Sequence, residues 1–380
     1  MKLTEMILPG STVGIIGGRH ISKMLAMSAK KYGLTVGILD PLEKCPASQV
    51  ADWHIIGEYN DESALLELAK RSDVLIYETR NIDINAIEFL KEIVSIPQGT
   101  FGLAITQDRL IEREFLDNNS INILPYETAV LISDIKEAAQ IVGYPCVVKS
   151  VRRFGEEEGV VIIESEADVN LAVPLIQQGA CMVEAYVPIK KELFLTIGIN
   201  QEGEYTLFPI VETIHNSQGE LRKIKAPIEF QDLDESTINQ IGLIARVVAS
   251  ELNVSGVVGI EFLINESGNL FVNEISSIAH ESSSYSLDAC DFSEYDIHIR
   301  GICNWPLPKI NQLVPAVTFN ITAENYDLVL FLLGKKRQWH YHFYQYPKEV
   351  EGIVKGHVTV LSRNIEETIQ EIKHAGLLID

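Results

Sequence analysis

The chain has 380 residues, 46% hydrophobic and 22% charged, with a formal net charge of -22. This is the composition of an ordinary globular protein with room for two or three domains, and its negative charge argues against nucleic-acid backbones or anionic membranes as partners. No stretch approaches ~18 uninterrupted apolar residues and no basic, apolar, small-residue leader opens the chain, so a cytoplasmic location is expected. The predicted elements begin with strand TVGIIGG, helix HISKMLAMSAKKYG and strand LTVGILD over 12–40, a βαβ unit whose helix Gly33 closes as a C-cap. DVLIYE at 73–78 reads as a further buried parallel strand, so the first hundred residues look doubly wound. Pro97, Gln98 and Gly99 break the pattern before the helical stretch QDRLIEREFLDNN. YPCVVKS and VVII then flank the charged loop RRFGEEEG. A strand-rich span over 190–275 follows, containing the helix INQIGLIARVVASEL. PAVTFNIT, WHYHFYQY and GHVTVLS read as short strands before a final helix, IEETIQEIKHAG. Five scattered cysteines, Cys45, Cys146, Cys181, Cys290 and Cys303, form no CxxC pair and fit a reducing compartment and core packing.

The strongest chemical signal is GVVGIEFLINESGNLFVNEI, two apolar runs joined by a turn, each carrying one acid, Glu261 and Glu274. A four-residue loop over Asn265 to Gly268 would set Leu263 opposite Leu270 and Glu261 opposite Val272, with Glu274 diagonal to Glu261 on the same face. Two carboxylates among Val, Ile, Phe and Leu repel one another and are costly to desolvate unless a cation lies between them. Mg²⁺ takes hard oxygen ligands and completes its shell with water and phosphate oxygens, so the pair points to a nucleoside-triphosphate site. The competing reading is two strand-edge acids facing water.

Weaker signals surround it. Gly14, Gly17 and Gly18 precede a helix whose N-terminal amides could hold a phosphate, but GIIGGRH lacks the GxGxxG spacing of a dinucleotide fold, despite Asp40 at the end of the next strand. Lys149 ends a strand from which it could reach phosphates, and Glu184 follows an apolar strand about where an acid could meet an adenosine. Glu78 closes a buried strand, while Arg300 could pair with an anion or with a neighbouring acid.

Lys149, Glu184, Glu261 and the Asn273-Glu274 dipeptide occur in the order and spacing of the ATP-grasp superfamily. PGSTVGIIGG, LDPLEKCPASQVAD, YETRNID, QDRLIEREFL, GYPCVVKS, GVVGIEFLI, NEISSIAH and YSLDACDFSEYDIHIRGICNWPL resemble, from about residue 7 to the end, the ATPase-subunit family of phosphoribosylaminoimidazole carboxylase, the carboxyaminoimidazole ribonucleotide synthetases. The resemblance implies an α/β ATP-grasp fold with an N-terminal doubly wound, Rossmann-like domain over 1–105. An ATP-grasp domain would follow over 106–302, its nucleotide lid at about 122–187, and then a small C-terminal domain over 303–380. It implies ATP and Mg²⁺ as cofactors, bicarbonate and aminoimidazole ribonucleotide as substrates, carboxyphosphate as intermediate, and a homodimer. Carried over by position, Arg109 and Lys149 would meet ATP phosphates; Glu184, Ala185 and Val187 the adenosine; Asn273 the nucleotide site; and Glu261 and Glu274 the metal. Glu78, His280 and Arg300 would hold and activate bicarbonate.

The substrate half departs from the family pattern. GGGQLGRM is here GGRHISKM, which puts Arg19, His20 and Ser22 at the turn. The loop GGYDGKGQ is replaced by RFGEEEGV, whose acids Glu156, Glu157 and Glu158 should repel phosphate. Ile278 stands for an arginine, the cations of YGK and RKMGH appear as Tyr344-Gln345-Tyr346 and Ile353-Val354-Lys355, and Lys355 is the remaining lysine nearby. Three readings follow: the family reaction with Arg19, His20 and Lys355 as replacement cations, an ATP-dependent ligase using another amine, or a nucleotide-binding protein without turnover.

Overall fold

The computed structural model describes residues 6–153, 159–215, 221–347 and 354–378. Glu156, Glu157 and Glu158 of the acidic loop therefore lie outside the described residues.

The first sheet is wholly parallel, with β1 (Thr12–Ile16), β2 (Thr35–Asp40), β3 (Trp53–Ile56) and β4 (Val74–Tyr77) in the order β3-β2-β1-β4. Its strands are apolar on both faces because both are covered. Val13, Ile15, Val36 and Ile38 pack toward helix His20–Lys31, while Ile16, Leu39, Leu75 and Tyr77 pack toward helices Glu62–Lys70 and Ile84–Lys91. The doubly wound expectation holds. Gly33 takes a φ of 76° just beyond the first helix, a conformation that costs glycine little. Gly18 is required by crowding, since a β-carbon there would lie 2.4 Å from Cys45 Sγ and 2.7 Å from Asp40. Asp40 accepts from Leu42 N and Tyr59 Oη at 2.8 and 2.6 Å.

A second sheet is antiparallel, with β5 (Tyr126–Ala129), β6 (Cys146–Ser150), β7 (Val160–Ile163) and β8 (Cys181–Ala185) in the order β5-β8-β6-β7. One face packs on helix Ile132–Val142 through Ile135, Ala138 and Ala139. The stretch QDRLIEREFLDNN forms the expected helix, Arg109–Asn118, and a shorter helix, Phe101–Gln107, precedes it. They are divided at Asp108, whose carboxylate accepts from the amides of Leu110 and Ile111 and caps the second.

Among the described residues the third sheet has nine strands: β9 (Ile189–Ile199), β10 (Tyr205–Leu207), β11 (Val211–His215), β12 (Leu221–Ala226), β13 (Gly256–Asn265), β14 (Leu270–Ser276), β15 (Ala316–Ile321), β16 (His340–Phe343) and β17 (Gly356–Leu361). Its order is β14-β13-β9-β11-β12-β15-β17-β16, with β10 pairing off β9. The C-terminal strands thus continue the central sheet through the β12–β15 pair. Helix Glu235–Leu252 covers the β9–β13 region through Ile241, Ala245, Val248 and Leu252, and Asp234 caps it.

Candidate active site

β13 and β14 place the two acids closer than the sequence suggests. Ile264 pairs with Leu270, not Leu263, so the connection is one residue longer than expected, and an irregularity at Asn273 then adds another residue to β14. Glu261 consequently lies directly opposite Glu274 rather than diagonal to it. The bulge breaks the simple alternation and re-aims a side chain, as bulges beside functional sites do. Asn273 Nδ2 donates to Glu261 Oε2 at 3.0 Å.

The two carboxylates differ in surroundings. Burial, and then the charge of Glu274, push Glu261 up to about 7. Burial would raise Glu274 too, but Arg153, Arg80 and Arg109 hold it well below the usual carboxylate range. Arg80 and Arg153 contact its two oxygens at 3.0 and 3.3 Å. Facing the pair, Glu192 bonds His215, and this contact raises the imidazole against the opposing effect of burial. An oxygen-rich pair with one member poorly neutralised suits a hard divalent cation such as Mg²⁺.

These acids line a cleft of about 900 Å³ between the second and third sheets, shared with Arg109, Arg113, Lys149, Arg153, Glu184, Ala185, Val187, Asn273 and apolar Leu263, Val160 and Ile162. β6 and β8 are paired with Lys149 opposite Met182 and Val147 opposite Glu184. Lys149 Nζ and Arg113 grip the two oxygens of Glu184 at 2.7 and 2.8 Å. Burial disfavours that carboxylate's charge, but the two cations outweigh it and hold Glu184 low. Arg109 is buried, donating to Ser150 O at 2.8 Å.

The structure therefore brings eight predicted positions together in one cleft: Arg109, Lys149, Glu184, Ala185, Val187, Glu261, Asn273 and Glu274. It also adds residues that sequence reasoning passed over. Arg113 donates to Asn273 O at 2.8 Å, and Glu112 accepts from Arg153 and from Ile275 N, tying the Arg109–Asn118 helix to β14. The spacing of Arg109, Glu112 and Arg113 at i, i+3 and i+4 was the available signal, since these share a helix face.

Neither Glu78 nor His280 is among the residues lining this cleft, although His280 and Glu274 interact, and Glu78 and His280 both adjoin Glu294. Glu294 accepts from His280 N at 3.3 Å, and burial together with the charge of Glu294 raises Glu78 well above the usual range. Both Glu78 oxygens are buried without a hydrogen-bond partner among the described residues. Burial likewise raises Glu294 to about 8, and lowers His280 to about 4, its ring stacked on Phe194 at 4.8 Å. Arg300 does not join them. It occupies the last turn of helix Glu294–Ile302, about 9 Å along the axis from Glu294, where Nε donates to Tyr32 Oη and the guanidinium lies over Phe292. The position expected to hold bicarbonate is thus engaged in packing two elements.

The altered turn also differs from expectation. His20 stacks on Tyr344 at 4.5 Å, and its backbone N and Nδ1 lie 3.2 and 3.0 Å from Tyr346 Oη. Burial and then Arg19 and His280 lower it to about 4, so at neutral pH it is no replacement cation. Lys355 lies over the Tyr326 ring, 5.9 Å from its centroid.

A parallel sheet leading into a two-sheet nucleotide cleft with an opposed acid pair defines an ATP-grasp protein. The ATP-grasp domain family model matches residues 114–295, and the ribonucleotide synthetase preATP-grasp domain model matches 10–107. The N5-carboxyaminoimidazole ribonucleotide synthase of Staphylococcus aureus (strain MRSA252) is 36% identical over 366 residues, covering 96% of both chains. That of Bacillus subtilis (strain 168) is 33% identical over 371 residues, covering 97% of this chain and 96% of its own. A Staphylococcus aureus N5-carboxyaminoimidazole synthetase crystallised with ADP superposes with a TM-score of 0.93 at 34% identity over 98% of each chain. The chain belongs to the N5-carboxyaminoimidazole ribonucleotide synthase family.

Proposed function

We propose that the chain carboxylates aminoimidazole ribonucleotide, using ATP and bicarbonate, in purine biosynthesis. The observation that carries this reading is the direct opposition of Glu261 and Glu274 at the floor of a cleft whose other wall holds Lys149 and Glu184. A bicarbonate oxygen attacks the γ-phosphorus of ATP, giving carboxyphosphate and ADP. The acceptor amine then attacks the carboxyl carbon, phosphate leaves, and the nitrogen loses a proton.

Each side chain has a role that its surroundings support. Glu261 and Glu274 would hold Mg²⁺, whose charge offsets that developing on the transferring phosphoryl group. Lys149 and Arg109 would meet the phosphates, while Glu184, Ala185 and Val187 line the adenosine end and Asn273 orients Glu261. Arg80 and Arg153 keep Glu274 ionised and ready as a ligand. Glu78 and His280 would face bicarbonate and the acceptor, with Glu294 rather than Arg300 as their neighbour. We further propose three units, at 1–105, 106–302 and 303–380 with a lid at about 122–187, and a homodimer acting in the cytoplasm. Among the described residues no helix is long and apolar enough to cross a membrane.

A second reading, transfer to another amine, is favoured by the His20–Tyr344 stack and Tyr346 at the substrate turn. One assay separates them: phosphate release from ATP with magnesium and bicarbonate, with and without aminoimidazole ribonucleotide. Stimulation that vanishes in Glu274→Ala supports the family reaction; ATP binding without stimulation supports another acceptor.

A further inference from the structure

Away from the nucleotide cleft, three histidines and one aspartate converge where the C-terminal strands meet the short helix Ser286–Ala289. His340 and His342 alternate along β16 and so point to one face, and His342 pairs directly with His357 on β17. One ligating atom each from Asp288, His342 and His357 lies within 4.8 Å of the others. Asp288 Oδ1 is 3.1 Å from His340 Nδ1, and Oδ2 is 2.9 Å from His342 Nε2. His357 is wholly buried. Its Nδ1 sits 2.6 Å from Tyr344 Oη, while its Nε2 is buried with no hydrogen-bond partner among the described residues. A buried ring nitrogen without a protein partner calls for an explanation, and ligation of an ion is one.

We propose that Asp288, His342 and His357, with His340 beside them, form a binding site for a divalent transition-metal ion of the zinc class. Imidazole nitrogens with one carboxylate are the donor set that zinc takes, whereas magnesium prefers an all-oxygen shell with several waters. Tyr344 Oη supplies the outer partner that a ligating histidine commonly has on its second nitrogen, fixing the ring. His340, 41% exposed at its side chain, lies on the solvent side and gives the ion a way in. Zn–N and Zn–O bonds of about 2.1 Å place tetrahedral ligands roughly 3.4 Å apart. The His342 and His357 rings, now stacked at 4.4 Å and 16°, therefore splay as the ion binds. The ion would join the helix carrying Asp288 to β16 and β17, and through Tyr344 it would steady the His20 ring at the substrate turn.

The test uses the full chain stripped with a chelator and titrated with Zn²⁺ against a chromophoric competitor, with Co²⁺ as a second, spectroscopic probe. One Zn²⁺ per chain is expected, with the intense visible absorption of four-coordinate Co²⁺. Asp288→Asn and His342→Gln should each weaken Zn²⁺ binding at least about tenfold, and Tyr344→Phe about tenfold through loss of the outer partner. Circular dichroism confirms that each variant is folded. Absence of competitive Zn²⁺ binding, an octahedral Co²⁺ spectrum, or undiminished binding in folded Asp288→Asn and His342→Gln overturns the proposal. So does displacement of Zn²⁺ by excess Mg²⁺, which would place the ion between Glu261 and Glu274 instead.

Discussion

Glu261 and Glu274 face each other across β13 and β14 because Asn273 is an extra residue in its strand, and the same residue donates to Glu261. The bulge creates the pair and partly compensates for it. One carboxylate is kept ionised by arginines, and the other is left short of positive charge until a cation arrives.

Glu274→Ala should lower kcat by on the order of 100-fold or more, since it removes a group that would act on charge developing in the transition state. Glu261→Gln should act in the same direction and raise the magnesium concentration needed for half-maximal activity. Steady-state kinetics across a magnesium series check both, and unchanged magnesium dependence in Glu261→Gln would remove it from the metal site.

The raised Glu261 also predicts a pH effect. Its folded pKa lies above the unfolded value, so the folded state holds the proton more tightly. Its contribution to stability falls as pH rises from near 4.5 and levels off above about 7. A cation competes with that proton, so Mg²⁺-ATP binding should tighten as pH rises through about 7, and Glu261→Gln should flatten the profile. Calorimetric titration at several pH values measures it.

Arg113→Ala should destabilise the fold by about 3–5 kcal/mol, because the buried Glu184 carboxylate would keep only one of its two cations. Denaturant unfolding reads the loss. Glu184 works the other way from Glu261: held low when folded, it adds stability above its unfolded pKa and loses it as pH falls through the folded one. A midpoint shift within experimental error in Arg113→Ala would show that Lys149 alone suffices.

Tyr346→Phe, which removes both contacts of the hydroxyl with His20, should raise KM for the acceptor roughly two- to tenfold, while KM for ATP stays unchanged. A change in the ATP value alone would mean that the turn serves the nucleotide and not the acceptor.

Gly18→Ala should cost about 1–3 kcal/mol by overpacking against Cys45 and Asp40, read as a lowered thermal midpoint.

The N-terminal sheet was legible because parallel strands covered on both faces leave continuous apolar runs, and Gly33 marked the end of the first helix. The acid pair was legible from its apolar setting, but not its register: a bulge leaves no trace in a period-two pattern. Strand β3 and helices Glu62–Lys70 and Ile84–Lys91 went unread, their short or mixed patterns being weak. Arg300 shows the limit of position as a guide. A charged residue aligned with a substrate-binding one can turn to an aromatic ring and a tyrosine hydroxyl when these are nearer, and only packing decides. Arg80 and Arg153 meet Glu274 from distant parts of the chain, which local spacing cannot reveal.

The pairing of β12 with β15 means that the last fifth of the chain is not detachable. Cutting after residue 302 would strip β15, β17 and β16 from the sheet and leave β12 as a bare edge with unpaired amides and carbonyls. Such an edge recruits other chains. A shortened version should accumulate as aggregate instead of surviving as a smaller nucleotide-binding protein, so the C-terminal strands act as the seal on the sheet whose far end holds the acids.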